Sequence, residues 1–268
     1  MSAPVSIPSP RSSTPESDSR LSESPPTLDP STLALLNDFI AHKTETERRF
    51  NDLAGEAAQK IAGGGAEGGD EEAKPMMSVD EYRETFTEDW QLSQFWYTTA
   101  FSMSFARLLH KMCTPETSIA FLCCPTAFVG FQHLKPHKNA RVLEVDGRFA
   151  VLAGRHYVPY DMEEPTELPA YLDNSVEIAV VDPPFLNEAG RLYTNTRVVT
   201  TLRKIMRPDA KLIVLTSTSV TPILEKLYDS PPLGPLRLTK VQVQHGQLRN
   251  DFGCWASWEG SENLTLED

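Results

Sequence analysis

Asp182-Pro183-Pro184-Phe185 follows directly on the apolar run Val176-Glu177-Ile178-Ala179-Val180-Val181. The Asp182 carboxylate and the Pro183 carbonyl accept hydrogen bonds from an amine and aim its lone pair toward a methyl donor. Pro183 and Pro184 fix φ near about −65° and withdraw two backbone donors, so both acceptors stand in a stiff turn. Phe185 adds an aromatic face that walls the reacting group and attracts a cationic centre such as a sulfonium. Asp-Pro also opens ordinary strand-ending turns. The buried-strand pattern just before it favours the reading in which Asp182, Pro183, Pro184 and Phe185 carry catalysis.

A strand must deliver that turn, and the second half of the chain reads as strands alternating with helices. Apolar runs at 119–123, 140–145, 156–160, 176–181 and 211–216 alternate with helical patterns at 126–134, 195–206 and 221–228. Segments 238–244 and 254–258 close the chain as an antiparallel hairpin. Continuous apolar strands between helices specify a doubly wound parallel α/β sheet. With the terminal hairpin, this is the pattern of a seven-stranded Rossmann-like class I methyltransferase sheet.

Upstream, residues 1–30 hold nine Ser and seven Pro with few large apolar groups, the composition of a disordered tail. Leu33, Leu35, Leu36, Phe39, Ile40, Phe50 and Leu53 recur at helical spacing over 31–62, with Ser31 available as N-cap. Residues 63–75, rich in Gly and closed by acids, read as a linker; the catalytic domain is expected over 76–260, and 261–268 as a tail. Between linker and sheet, Trp90-Gln91-Leu92-Ser93-Gln94-Phe95-Trp96-Tyr97 precedes a helix carrying Phe101, Phe105, Leu108, Leu109 and Met112 on one side. The octapeptide is either a loop beside a cofactor or a plug on the core.

The 268 residues carry a net charge of −12 and a pI near 5.0, which weighs against a face built for nucleic-acid phosphates. Cys113, Cys123, Cys124 and Cys254 show no paired metal spacing, and Pro136 spoils a helical His133/His137 ligand pair, so no metal is expected. The chain contains no apolar stretch of 18 residues, and a membrane role is not expected. The composition suggests a soluble intracellular protein.

In open sheets ligands sit outside the carboxyl ends of the strands. The second strand ends Glu144-Val145-Asp146, where an acid takes both hydroxyls of a ribose; Asp146 is the first candidate and Glu144 the reserve. Arg148 is placed to pair with either acid. Asp161 after the third strand is positioned to receive an adenine amino group. The first strand ends Cys123-Cys124-Pro125-Thr126 without the usual Gly-x-Gly, so the loop must work through small residues and Pro125. Thr126 is placed to cap the next helix, whose dipole favours a carboxylate.

The order of Trp90 to Tyr97, the Pro-bearing first loop, Glu144-Val-Asp-Gly-Arg-Phe149, Tyr160-Asp161 and Ala179-Val-Val-Asp-Pro-Pro-Phe-Leu186 resembles one family. It is similar to the eukaryotic lysine methyltransferases of translation elongation factor 1-alpha, formerly grouped with N6-adenine DNA methyltransferases. The resemblance runs from Ser31 to Trp258, excluding the Gly-rich insert. It implies S-adenosylmethionine as donor, a lysine ε-amine as acceptor, elongation factor 1-alpha as partner and a cytoplasmic location. It also implies that Trp96, Tyr97, Pro125, Thr126, Asp146 and Asp161 line the cofactor site and that a missing Gly-x-Gly is normal. Phe185 departs from the commoner Tyr, keeping the ring and losing the hydroxyl. Two other readings stand beside this one: an adenine methyltransferase of nucleic acid, since the tetrapeptide suits an exocyclic amine equally, and a non-catalytic scaffold.

Overall fold

The computed structural model describes residues 29–62, 76–184, 188–248 and 251–267. Segments 1–28 and 63–75, read above as tail and linker, lie outside the described residues, as does Phe185. The chain divides into two units, Met1–His42 and Lys43–Asp268. Helix α1 (Pro30–Ala62), whose residues fall partly in each unit, begins with Pro at its first position. The Asp29 carboxylate accepts the backbone N–H groups of Ser31 (3.0 Å) and Thr32 (3.1 Å), so Asp29, and not Ser31, is the N-cap.

The second unit is built on a seven-stranded sheet of order β3-β2-β1-β4-β5-β7-β6. Its strands are β1 (Ile119–Leu122), β2 (Ala140–Glu144), β3 (Tyr157–Pro159), β4 (Val176–Val181), β5 (Met206–Ser217), β6 (Arg237–Leu238) and β7 (Phe252–Ala256). β1 to β5 run parallel, while β7 lies antiparallel between β5 and β6. The order is that of the class I methyltransferase sheet. Side chains alternate between faces, and both faces are buried. Ile119, Phe121, Val142, Ile178, Val180 and Ile213 pack with Phe101, Phe105 and Leu109 of α3 (Thr99–Met112) and Phe128 of α4 (Pro125–Leu134). Ala120, Leu122, Leu143, Ala179, Val181 and Val214 pack with Val198 and Leu202 of α6 (Glu188–Ile205) and Leu224 of α7 (Thr221–Leu227). That double burial is why the strands read as continuous apolar runs.

A short helix, α2 (Val79–Thr85), is closed by a Ser78/Glu81 capping box and packs Tyr82 in the same core; α5 (Arg148–Ala153) follows β2. Three sequence expectations change. Of the expected strand 238–244, only Leu238 belongs to the ladder with β7 and the Thr239 N–H still donates to the Cys254 carbonyl at 2.9 Å; beyond it the Lys240 N–H donates to the Leu264 carbonyl at 3.0 Å. Residues 261–267, expected as a tail, therefore form part of the domain, with Ser261 buried and Leu264 and Leu266 packed on the core. Helix α6 starts at Glu188 and not at 195. Among the described residues no helix is long and apolar enough to cross a membrane.

Candidate active site

The sheet order reverses between β1, which continues toward β2 and β3, and β4, which continues toward β5. A crevice opens at such a switch point. Register puts Leu122 level with both Leu143 and Val181, so the three carboxyl ends finish together. The Asp182 N–H donates to the Leu122 carbonyl at 3.1 Å, which fixes the turn against the first loop. A cavity of about 370 Å³ lies here, within the ordinary size of a small-molecule site. Trp96, Tyr97, Pro125, Thr126, Glu144, Asp161, Asp182, Pro183 and Pro184 all line it; Asp146 does not.

The first loop solves its missing glycines with strain. Cys123 takes the left-handed conformation at φ 56°, where Gly would normally stand, at a cost of about 1–2 kcal/mol. Cys124 precedes α4 without a side-chain cap, and its thiol donates to the Val180 carbonyl at 3.3 Å. Thr126 lies inside α4, so the capping role expected for it is not realised, although it still faces the cavity.

Glu144 and Asp146 are separated by their partners. Arg148 grips Asp146 through its backbone N–H (2.9 Å) and guanidinium (2.6 Å). Burial alone would raise the Asp146 pKa, but the Arg148 bonds outweigh it and hold the group below the usual carboxylate range. Glu144 is 4% exposed, and burial pushes it up to about 7. Gln94 joins the two acids, its amide lying 3.3 Å from Glu144 Oε1 and 3.2 Å from Asp146 Oδ2, while its own oxygen accepts from Arg148 at 3.2 Å.

Burial also lifts Asp182 to about 7, opposed by the Tyr97 hydroxyl, which donates to Asp182 Oδ2 at 2.5 Å, and reinforced by the Glu144 charge. Tyr97 therefore acts on the carboxylate rather than presenting a free hydroxyl to a ligand. The Trp96 indole N–H donates to the Phe86 carbonyl at 2.6 Å, and its ring tilts on Tyr82, so most of this residue is core. Asp161 Oδ1 accepts the Glu163 N–H at 2.9 Å within its own turn, and the residue is exposed at the cavity edge. His245, which no sequence pattern marked, lines the cavity beside Leu248 and Phe252.

The chemistry of the lining suits a cationic nucleoside. Glu144, Asp161, Glu163 and Asp182 contribute four carboxyl groups, and no lysine or arginine lines the cavity among the described residues. No cluster able to hold a metal ion occurs among those residues either.

Sheet order and strand-end cavity together define a class I methyltransferase. The family described as "Probable N6-adenine methyltransferase" matches residues 88–260, and the chain belongs to it. Protein-lysine N-methyltransferase EFM5 of Saccharomyces cerevisiae is 27% identical over 252 residues, 88% of this chain and 93% of that one. EEF1A lysine methyltransferase 1 of Gallus gallus is 36% identical over 177 residues, 64% of this chain and 76% of that one. Protein-lysine N-methyltransferase CG9154 of Drosophila melanogaster is 28% identical over 247 residues, 87% and 94%. The chain is thus an S-adenosylmethionine-dependent enzyme of a family whose curated relatives are protein-lysine methyltransferases.

Proposed function

We propose that this enzyme methylates a lysine ε-amine of translation elongation factor 1-alpha in the cytoplasm. The observation that carries the chemistry is Asp182, a half-buried carboxylate held by Tyr97 in the lining of a cavity that no lysine or arginine lines among the described residues. The relatives carry the substrate, since several are named for elongation factor 1-alpha.

S-adenosylmethionine, when bound, supplies a methyl group to the amine and leaves as a neutral thioether. Glu144 takes the ribose hydroxyls in place of Asp146, because it faces the cavity while Asp146 is committed to Arg148. Asp161 faces the adenine amino group, and the amino end of α4 at Pro125 and Thr126 faces the methionine carboxylate. Phe185 is assigned the aromatic wall from the motif alone.

Lysine in water has a pKa of about 10.4, so presenting the neutral amine at pH 7 costs about 5 kcal/mol. Burial beside Asp182 narrows that gap from both sides, lowering the ammonium and raising its acceptor to about 7. Asp182 accepts the proton, and the Pro183 carbonyl holds a remaining N–H.

The test is incubation with tritiated S-adenosylmethionine and a cytosolic extract divided between nuclease and protease treatment. Label in a protease-sensitive band of elongation factor size, lost in Asp182→Ala with unchanged circular dichroism, is expected. Nuclease-sensitive label would replace this reading with the adenine one that the family description preserves.

A further inference from the structure

The cavity has two flanks. Glu144 and Asp161 stand on the β2–β3 side, Asp182 follows β4 in the middle, and His245 and Leu248, before β7, with Phe252 at its start, stand on the far side. With the nucleoside assigned to the acids of the first flank, the second is where the acceptor amine must lie.

His245 is fixed there by unusual means. The Thr98 N–H donates to the Gln244 carbonyl and the Gly246 N–H to the Trp96 carbonyl, both at 2.9 Å, making an isolated antiparallel bridge between Tyr97 and His245. The imidazole lies between two aromatic rings, its centroid 4.9 Å from that of Tyr97 and 4.3 Å from that of Phe252. Neither ring nitrogen has a hydrogen-bond partner among the described residues. By contrast, His110, His133, His137 and His156 each bond a backbone carbonyl. A polar ring in tilted contact with two aromatic rings, its nitrogens unused, and joined through Tyr97 to Asp182, is placed to meet something that enters the cavity.

We propose that a ring nitrogen of His245 is the third hydrogen-bond acceptor for the incoming substrate amine, beside the Asp182 carboxylate and the Pro183 carbonyl. This rests on the lysine reading above. A primary ammonium brings three N–H donors, and three acceptors orient it while it is charged; once Asp182 takes one proton, the Pro183 carbonyl and His245 hold the two remaining N–H groups while the lone pair, left pointing at Asp182, tilts toward the methyl donor. Burial keeps His245 neutral, with a pKa lowered to about 4, so the ring accepts from a cation instead of repelling it. His245 is accordingly a substrate-contacting residue and makes no demand on the nucleoside.

His245→Phe keeps a ring between Tyr97 and Phe252 and removes the nitrogens; His245→Gln restores an acceptor without the ring. With elongation factor 1-alpha as acceptor, His245→Phe should lower kcat/KM by about 10- to 100-fold, the loss expected for one hydrogen bond to a charged group. Calorimetric affinity for S-adenosylmethionine should stay within about twofold of wild type, which also reports a folded site, and His245→Gln should recover part of the rate. Wild-type kcat/KM in His245→Phe, or an equal loss of cofactor affinity, would overturn the assignment. A second measurement is independent of the macromolecular substrate: n-butylamine is titrated into protein saturated with S-adenosylhomocysteine while the His245 imidazole resonances are followed. Shifts absent in Asp182→Ala support amine contact, and unmoved resonances overturn it. Failure of the wild type to label elongation factor 1-alpha would instead remove the lysine reading, and the amine titration would still decide the role of His245.

Discussion

The Tyr97 hydroxyl donates a 2.5 Å hydrogen bond to the Asp182 carboxylate across 85 residues of sequence, joining the Trp90–Tyr97 motif to the Asp-Pro-Pro turn. The bond favours the ionised acid, which burial disfavours. Removing it in Tyr97→Phe should raise Asp182 above about 7 and reduce the ionised fraction at neutral pH. The acid limb of the kcat/KM profile should move to higher pH, with a loss of about 10-fold or more at pH 7 and partial recovery near pH 9. The ring still packs on Phe101 at 5.0 Å, so the variant should fold. An unshifted acid limb would show that Asp182 is not the proton acceptor.

Glu144 makes the protein's stability depend on pH in a direction opposite to that of a salt-bridged acid. Its pKa is about 4.5 in the unfolded chain and about 7 in the fold, so between those values the folded state binds more protons. Stability from this group is full below about pH 4.5, falls as pH rises, and levels off above about 7. Glu144→Gln keeps an acceptor for Gln94 and removes the charge. Thermal denaturation should find it more stable than wild type by about 2–3 kcal/mol at pH 8 and near parity at pH 5. Equal midpoints at both pH values would mean that Glu144 ionises without penalty.

What the sequence disclosed and what it hid divide along the range of the interactions. The strands and the Asp182 turn were legible because burial on both faces writes a continuous apolar run, and the turn chemistry is local to 182–184. Which of Glu144 and Asp146 faces the cavity is not legible in the sequence, because it depends on which of them Arg148 takes, and Asp146 is taken, accepting the Arg148 backbone N–H. Gln94 and His245 left no local signal: their partners are 50 and 148 residues away, across loops. The 238–244 run alternates like a strand, yet past Thr239, whose N–H reaches the Cys254 carbonyl of β7, Lys240 finds its partner at Leu264 and Gln244 at Thr98, so the rest of its backbone is satisfied piecemeal outside the sheet. Thr126 failed as a cap because Pro125 already opens α4.

Gln94 is a clasp, and the clasp can be opened. Its amide serves Glu144, Asp146 and Arg148 together, and the side chain is 6% exposed. Gln94→Ala leaves Glu144 without its side-chain donor and frees the ring of contacts that holds the end of β2. The expected loss is about 1–3 kcal/mol of stability in urea and about 10-fold in S-adenosylmethionine affinity, since the acid assigned to the ribose loses its positioning. Gln94→Glu should be worse than Ala, because it adds a third carboxylate to the pair. Unchanged cofactor affinity in both variants would separate β2 from the nucleoside.

Cofactor binding should itself release protons. In the free cavity burial holds Glu144 and Asp182 near 7, each disfavouring the charge of the other, and His245 stays neutral well above about 4. Asp161 and Glu163 are exposed, Arg148 is committed to Asp146, and among the described residues no lysine or arginine lines the cavity to offset Glu144 and Asp182. A sulfonium entering this space favours both ionised forms. Affinity for S-adenosylmethionine should therefore tighten as pH rises from 6 to 8 and level off above. S-adenosylhomocysteine, which lacks the sulfonium charge, should show a shallower slope. Calorimetry at pH 7 in phosphate and in Tris, whose ionisation enthalpies differ, reads the released protons directly. Equal heats in the two buffers for S-adenosylmethionine, or equal slopes for the two ligands, would mean that the carboxylates do not sense the charge that methyl transfer removes.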